Sequence, residues 1–196
     1  TKKILDIGTG CGIISILLAK RSKAKITGIE LQEIMVEIAK ENVKNNGFNG
    51  QISIVNEDIK NYKKIFSYAE FDVIVTNPPY FEFKGEISQI NNLEQLAYAR
   101  HNVNLTLEEI IKISADLLKN MGSFFIVFRC ERLIEIMELL KKYSLEPKKM
   151  KTCYTKWNGH AKICMIEAIK GANKGLCIEM PIFVYDKNGK KDEYIE

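Results

Sequence analysis

The apolar residues of the first half of the chain fall into short continuous runs that alternate with stretches of helical spacing. The runs are rich in valine and isoleucine and are bounded by turn residues, which is typical of buried strands in a parallel sheet. They lie at residues 3–7, 25–30, 51–55 and 71–76. Between them, apolar positions recur at helical spacing over residues 12–20 and 34–43. This alternation predicts an α/β fold built on a doubly wound, mostly parallel sheet.

The second half of the chain resumes the alternation after a long irregular stretch. Thr106 and Glu109 have the spacing of a capping box, which predicts a helix over residues 106–119. The remaining predicted elements are a strand at 123–128, a helix at 132–143 and a closing pair of strands at 149–154 and 163–169. Residues 81–105 show no regular pattern and exceed an ordinary connection, so we predict a binding loop there.

The length and composition indicate a single domain. With 196 residues, of which 46% are hydrophobic, the chain can bury one sizeable core, and we assign residues 1–196 to it. The first apolar run begins within a few residues of Thr1, so we expect an N-terminal segment to be missing from this chain. The net charge of +4 does not by itself indicate nucleic-acid binding. A monomer is the expected state.

The cysteines bear on the compartment and on metals. The chain has five, an odd number, and none forms a C-x-x-C pair. This usage predicts a reducing, cytoplasmic environment with no disulfide framework and no metal site. No apolar stretch approaches the roughly 18 residues of a membrane span, so no membrane partner is expected.

The strongest candidate for chemistry follows the fourth apolar run, where the chain reads Asn77-Pro78-Pro79-Tyr80. The prolines end the strand and stiffen the residues before them. The Asn77 side-chain oxygen and the Pro78 carbonyl could accept both hydrogens of a planar amine and direct its lone pair at a methyl donor. Tyr80 could stack on the ring that carries the amine. The alternative is a strand terminator followed by an aromatic core residue.

A glycine-rich loop follows the first apolar run and holds Gly8, Gly10 and Gly12. The dinucleotide fingerprint would place its third glycine at position 13, where this chain has Ile13, which argues against a nicotinamide cofactor. Ligands of such sheets bind at the carboxyl ends of the strands. We therefore predict a nucleotide-like cofactor at this loop, although three glycines after a strand can also form a simple turn.

Three carboxylates stand at the ends of the first three runs, where one cofactor pocket would need them. Glu30 could accept from both ribose hydroxyls, and Asp58 could accept from an adenine amine next to the Ile59 backbone N–H. Asp6 could face the ammonium group of an amino-acid tail. The alternatives are helix capping for these acids and loop ordering for Asp6.

The sequence from Asp6 to Gly12, with Glu30, Asp58 and the Asn77-Pro78-Pro79-Tyr80 motif, resembles the class I S-adenosylmethionine-dependent methyltransferases. Within this class the chain most resembles the bacterial tRNA adenine-N6 methyltransferases that modify A37 of a valine tRNA. This resemblance rests on the strings Ala99-Arg100-His101, Leu105-Thr106-Leu107-Glu108-Glu109 and Arg129-Cys130-Glu131-Arg132-Leu133. The resemblance implies a Rossmann-like sheet of seven strands with the last one reversed, S-adenosyl-L-methionine (SAM) as the cofactor, and a tRNA substrate.

The resemblance also implies roles for individual residues. The cofactor would be bound by Asp6, Gly8, Thr9, Gly10, Cys11, Gly12, Glu30, Leu31, Asp58, Ile59 and Asn77. The target amine would be held by Asn77 and Pro78, with Pro79 and Tyr80 completing the catalytic motif. Family members carry residues before the first strand that help to close the pocket and contact RNA.

Cations suggest where RNA could bind. Near the end of the chain they alternate with aromatic residues, as an RNA-facing edge would require. The candidates are Arg100, Lys148, Lys149, Lys151, Lys156 and Lys162. An ordinary solvated edge is the alternative, and His101 needs no role as a base. The Asn-Pro-Pro-Tyr motif also serves protein glutamine N5-methyltransferases and ribosomal RNA guanine-N2 methyltransferases, which remain the alternative functions.

Overall fold

The computed structural model describes residues 1–78 and 105–191 of the chain. The elements of the first part are β1 (Lys3–Ile7), α1 (Ile13–Arg21), β2 (Lys25–Glu30), α2 (Glu33–Asn45), β3 (Ile52–Asn56), a 3₁₀ turn (Ile59–Asn61), α3 (Tyr62–Ile65) and β4 (Phe71–Thr76). Those of the second part are α4 (Leu107–Leu117), β5 (Leu118–Arg129), a 3₁₀ turn (Cys130–Arg132), α5 (Leu133–Lys142), β6 (Leu145–Tyr154), β7 (Ala161–Lys170), β8 (Cys177–Ile178) and β9 (Ile182–Phe183).

One sheet contains all of these strands. Its order is β3-β2-β1-β4-β5-β7-β6-β8, and β9 also pairs with β6. Strands β1 to β5 pair in parallel, whereas β7 is antiparallel to both β5 and β6. The predicted doubly wound, mostly parallel sheet with a reversed last long strand is therefore confirmed. The two-residue strands β8 and β9, which the sequence did not predict, extend the sheet beyond β6.

Helices cover both faces of the sheet because successive residues of a strand point to opposite sides. Leu5 belongs to the larger core cluster, which includes residues of α4 and α5 such as Ile111 and Ile136. The neighbouring Ile4 belongs to a second cluster, which includes Ile16 of α1. These two apolar layers hold the strands in place and leave their carboxyl ends free to carry loops.

The beginning of α4 confirms the capping box read from the sequence. Thr106 Oγ1 accepts a hydrogen bond from the Glu109 N–H at 3.1 Å, and Glu109 Oε2 accepts from the Thr106 N–H at 2.7 Å. The helix ends at Leu117, two residues earlier than predicted, because Leu118 is extended and pairs with Phe71. β5 is longer than predicted for the same reason. The predicted binding loop lies outside the described residues, apart from Leu105.

Candidate functional site

The carboxyl ends of β1, β2, β3 and β4 lie at one edge of the sheet because these strands are parallel neighbours. The loop after β1 turns sharply there: Gly8, Gly10 and Gly12 have φ values of 69°, 56° and 83°. Residues with a Cβ rarely adopt this left-handed conformation. A Cβ on Gly8 would meet no atom within 4 Å, so the backbone at this position faces open space.

Asp6 orders this loop from beneath. Its side chain is fully buried, and its Oδ2 accepts hydrogen bonds from Thr9 Oγ1 at 2.7 Å and Ser15 Oγ at 2.8 Å. These contacts support the alternative in which Asp6 orders the loop. Asp6 Oδ1 is buried and has no hydrogen-bond partner among the described residues, so this oxygen can still accept a hydrogen bond. Ser15 was not among the site residues predicted from the sequence.

Burial raises the pKa of Asp6 above its ordinary value of 3.8, although hydrogen bonds from Thr9 and Ser15 act in the opposite direction. The folded state therefore holds the Asp6 proton more tightly than the unfolded state does. The resulting stabilisation is complete below about pH 4 and is lost as the pH rises through the raised value.

We expect Asp6→Asn, which cannot titrate, to lack this loss. The free energy of unfolding of the wild type minus that of the variant should therefore decrease as the pH rises from about 4 to neutrality. Urea unfolding at a series of pH values measures this difference. A difference that does not change with pH would contradict the assignment.

Gly28 is a site residue that the sequence analysis missed. It lies in β2 opposite Asp6 of β1, and a Cβ there would lie 2.9 Å from Thr9 Cγ2 and Oγ1 and 3.0 Å from Ile54 Cδ1. A glycine inside an apolar strand indicates such a close approach and could have revealed it. The absence of a side chain at Gly28 makes room for Thr9 and thus for the loop.

Gly28→Ala should destabilise the fold by about 1–3 kcal/mol, the usual cost of overpacking a core. Gly50→Ala is the matched control because a Cβ there would meet no atom within 4 Å. Thermal unfolding of both variants measures the effect. Equal melting temperatures for the two would show that the space beside Thr9 is not restricted.

Glu30 ends β2 and connects the glycine loop to the turn that follows. Its side chain is 9% exposed, and its two oxygens accept hydrogen bonds from the backbone N–H groups of Gly10 and Gln32, each at 3.0 Å. A carboxylate can accept about four hydrogen bonds, so each oxygen can still receive another donor. Leu31 follows with 41% of its surface exposed, which provides an apolar contact beside the carboxylate.

Asp58 and Ile59 follow β3 at the same edge. The Asp58 side chain is half-buried and accepts from the Lys60 N–H at 2.9 Å, which caps the 3₁₀ turn, and Ile59 is buried. Hydrogen bonds from Asn61 and from the Asp58 N–H to Glu57 hold the pKa of Glu57 below its ordinary value. The side chains of Glu57 and Asp58 therefore both hold this turn in place. Asp58 serves as its cap.

Asn77 and Pro78 follow β4, directly beside the glycine loop. Thr76 is the parallel partner of Ile7, and its Oγ1 donates to the Ile7 carbonyl at 3.0 Å. Asn77 follows Thr76 and Gly8 follows Ile7, so the two residues leave neighbouring strands at the same level. Asn77 is exposed and Pro78 is buried. Pro79, Tyr80, Arg100 and His101 lie outside the described residues.

The predicted RNA-binding lysines of the described residues differ in their partners. Lys149 pairs with Glu167 at 3.1 Å and Lys151 with Glu179 at 3.0 Å, while Lys148 donates to the Asn173 carbonyl at 3.1 Å. Lys156 and Lys162 are exposed, and within the described part of the chain neither has a carboxylate partner. The partners of Lys148, Lys149 and Lys151 come from β7 and from the segments after β7 and β8, so local sequence could not show these contacts.

Among residues 1–78 and 105–191, no helix has both the length and the apolar character needed to cross a membrane. The same residues contain no group of three or more His, Cys, Asp or Glu side chains that could bind a metal ion. The five cysteines are free thiols.

Comparison with known sequences identifies the family. A model described as a methyltransferase domain matches residues 1–170. A tRNA1(Val) (adenine(37)-N6)-methyltransferase of Bacteroides thetaiotaomicron is 37% identical over 84% of this chain and 67% of its own length. Proteins of the same name from Bacteroides fragilis and Shewanella baltica are 32% and 28% identical over 79% and 90% of this chain, and over 63% and 68% of their own lengths. The chain thus spans about two thirds of these relatives.

Solved structures agree on the fold. The structure of a predicted O-methyltransferase from Agrobacterium tumefaciens superposes with a TM-score of 0.76 at 18% identity, covering 99% of this chain and 86% of that one. A SAM-dependent methyltransferase from Aquifex aeolicus gives 0.59 at 16% identity, over 86% of this chain and 81% of that one. The chain therefore belongs to the methyltransferase domain family, and its fold is that of these solved methyltransferases.

Proposed function

We propose that the protein transfers a methyl group from SAM to the exocyclic N6 amine of an adenine in tRNA, at position 37 of a valine tRNA. One observation carries the proposal: the parallel register of Ile7 with Thr76 puts the Asn77-Pro78 pair next to the glycine loop. The curated relatives that carry this activity in their names support the substrate. Such an enzyme would act in the cytoplasm.

The residues at the loop fit SAM. The open space at Gly8 lets the backbone approach a ligand, and Glu30 keeps acceptor capacity for the two ribose hydroxyls. Leu31 and the turn at Asp58 would enclose the adenine. Thr9, Gly10, Cys11 and Gly12 would follow the cofactor with their backbone. Asp6 would hold this loop in place, and its unpartnered Oδ1 could accept from a bound group or a water.

Asn77 and Pro78 would position the target amine. Bound SAM supplies an electrophilic methyl group. The nitrogen of an adenine amine is a weak nucleophile because its lone pair is delocalised into the ring. Acceptance of both amine hydrogens by the Asn77 side chain and the Pro78 carbonyl would favour a tetrahedral nitrogen and stabilise the positive charge that develops on it. The methylated amine can then lose its proton to water, so no general base is needed.

The target base has to leave its stack to reach this edge. An adenine beside the anticodon is unpaired, so its extrusion costs less than that of a base within a duplex. Tyr80 would stack on the extruded base, and Pro79 would fix the approach of the chain to it. These two roles remain predictions from the motif because both residues lie outside the described part.

The test is methyl incorporation from labelled SAM into an unmodified valine tRNA transcript. We expect incorporation that disappears when A37 is replaced by G, and N6-methyladenosine as the product in a nucleoside digest. Glutamine-containing peptides and ribosomal RNA serve as competing acceptors. Preferential methylation of a peptide glutamine, or of a guanine N2, would replace the proposal with one of the two alternatives.

A further inference from the structure

We propose that the end of the β6–β7 hairpin, together with the segment after β9, forms a docking surface for the tRNA strand next to the target adenine. This surface, the hairpin platform, consists of the aromatic residues Tyr154, Trp157 and Phe183 and the lysines Lys156, Lys162 and Lys187. The proposal rests on tRNA being the substrate. It adds where the RNA binds and which groups hold it.

The strand register shows that the hairpin platform rises beside the candidate site. Thr76 of β4 is level with Ile126 of β5, Ile126 with Ile166 of β7, and Ile166 with Met150 of β6. Tyr154 lies four residues beyond Met150, which is about 13 Å above the level of Thr76. Three strand spacings separate β4 from β6 laterally, or about 14 Å. A strand of RNA whose base reached Asn77 would therefore contact the hairpin platform within a few nucleotides.

Three aromatic rings pack together in the hairpin platform. The centroids of Tyr154 and Phe183 are 5.1 Å apart, and those of Phe183 and Trp157 are 4.6 Å apart. The Lys187 Nζ lies 4.5 Å from the centroid of Trp157. Tyr154 and Phe183 are partly buried by this packing, but Trp157 remains 51% exposed. A base that stacks on this half-exposed indole would replace the Lys187 ammonium above the ring, and the displaced ammonium would lie beside a phosphate.

The segment that completes the hairpin platform lies outside the family match, which ends at residue 170. β9 joins β6 through the pairs Cys153–Ile182 and Tyr154–Phe183. The Val184 N–H then donates to the Tyr154 carbonyl at 2.8 Å, which carries the chain on toward Lys187. The sheet thus gains a strand that delivers an aromatic ring and a lysine to this location.

The charges at the hairpin platform suit a polyanion. Lys156 and Lys162 are exposed and lack a carboxylate partner among the described residues, and Lys187 lies over Trp157. The neighbouring Asp186 accepts hydrogen bonds from the N–H groups of Asn188 and Lys190 at 2.8 Å each. Its carboxylate is therefore engaged within the turn that these residues form. Earlier in β6, by contrast, Lys149 and Lys151 form ion pairs with glutamates. Lysines without a carboxylate partner among the described residues therefore lie where β6 ends.

Trp157 is the only tryptophan of the chain, so its fluorescence reports directly on the hairpin platform. Titration with unmodified valine tRNA, or with its anticodon stem-loop, should quench this fluorescence. Trp157→Ala should raise the Kd for tRNA, measured by filter binding, by about 10-fold, in line with the loss of one base-stacking contact. Trp157→Phe should retain most of the affinity. Lys187→Gln and Lys156→Gln should each reduce the slope of log K against log salt by about 1.

Matched controls lie at the ends of the strands away from the candidate site. There Lys170 Nζ lies 4.8 Å from the ring centroid of Tyr68, which is 73% exposed, so the pair resembles Lys187 with Trp157. Lys44, in the last turn of α2, is an exposed lysine outside the hairpin platform. Tyr68→Ala and Lys44→Gln should leave tRNA affinity unchanged.

The outcomes separate this surface from the proposed function. Unchanged fluorescence at saturating tRNA, or a Kd within twofold of wild type for both Trp157→Ala and Lys187→Gln, would overturn the hairpin platform even if the enzyme methylates A37. Quenching and weakened binding by the variants, with no methyl transfer to any tRNA, would support the surface and reject the activity. Absence of any tRNA binding by the wild type would reject both.

Discussion

Asn77→Ala should lower kcat for methyl transfer to tRNA by about 10²–10³, the scale seen when one preorganised hydrogen-bonding group at a transition state is removed. The Kd for SAM should change little, because the glycine loop and Glu30 remain in place. The physical reason is that the alanine cannot accept a hydrogen from the amine, whose lone pair then stays delocalised. Single-turnover kinetics with saturating SAM and tRNA measures the change.

Asn46→Ala is the matched control for this variant. Asn46 caps the far end of α2, at the opposite edge of the sheet, and its side chain donates to the Asn42 carbonyl at 2.9 Å. Its replacement should leave kcat within twofold of wild type. If Asn77→Ala behaved in the same way, Asn77 would be only a strand terminator, and the proposed clamp would fall.

Glu30→Ala should weaken SAM binding by about 10- to 100-fold, since hydrogen bonds to a charged group are worth about 1.5–3 kcal/mol. The structure adds a second reason for a large effect. The Glu30 carboxylate also receives the N–H groups of Gly10 and Gln32, so its loss releases the glycine loop as well as the ribose acceptor. Isothermal titration with SAM measures the affinity.

A comparison with Glu30→Gln separates the two contributions. Glutamine keeps one oxygen and the size of the side chain, but it removes the charge. It should therefore weaken SAM binding less than alanine does. Glu37→Ala, on the exposed face of α2, controls for net charge. SAM affinity equal to wild type in both Glu30 variants would reject the ribose role.

Much of the fold could be read from local patterns. The short apolar runs gave the parallel strands, and the spacing of Thr106 and Glu109 gave the start of α4. These features depend on residues within a few positions of one another, so periodicity and capping chemistry report them directly. The early end of α4 was missed because the pairing of Leu118 with Phe71, a residue far away in sequence, outweighs the local helical pattern.

The candidate site divides in the same way. The motif residues and the carboxylates at strand ends were visible because each follows its own strand. The function of Gly28 and Ser15 was not, since both act through Thr9 and Asp6, and those contacts exist only when β1, β2 and α1 are packed together. The ion pairs of Lys149 and Lys151 were likewise not visible, because Glu167 and Glu179 meet these lysines only in the folded chain.

The sequence by itself determined the order of strands and helices, the strand ends at which chemistry is placed, and the resemblance to the methyltransferase family. The tertiary structure decided which of these ends are neighbours, which carboxylate orders a loop, and which lysines remain without a carboxylate partner. The physical reason is that side-chain periodicity is set by the backbone of one element, whereas hydrogen bonds, ion pairs and steric limits between elements depend on strand register and packing.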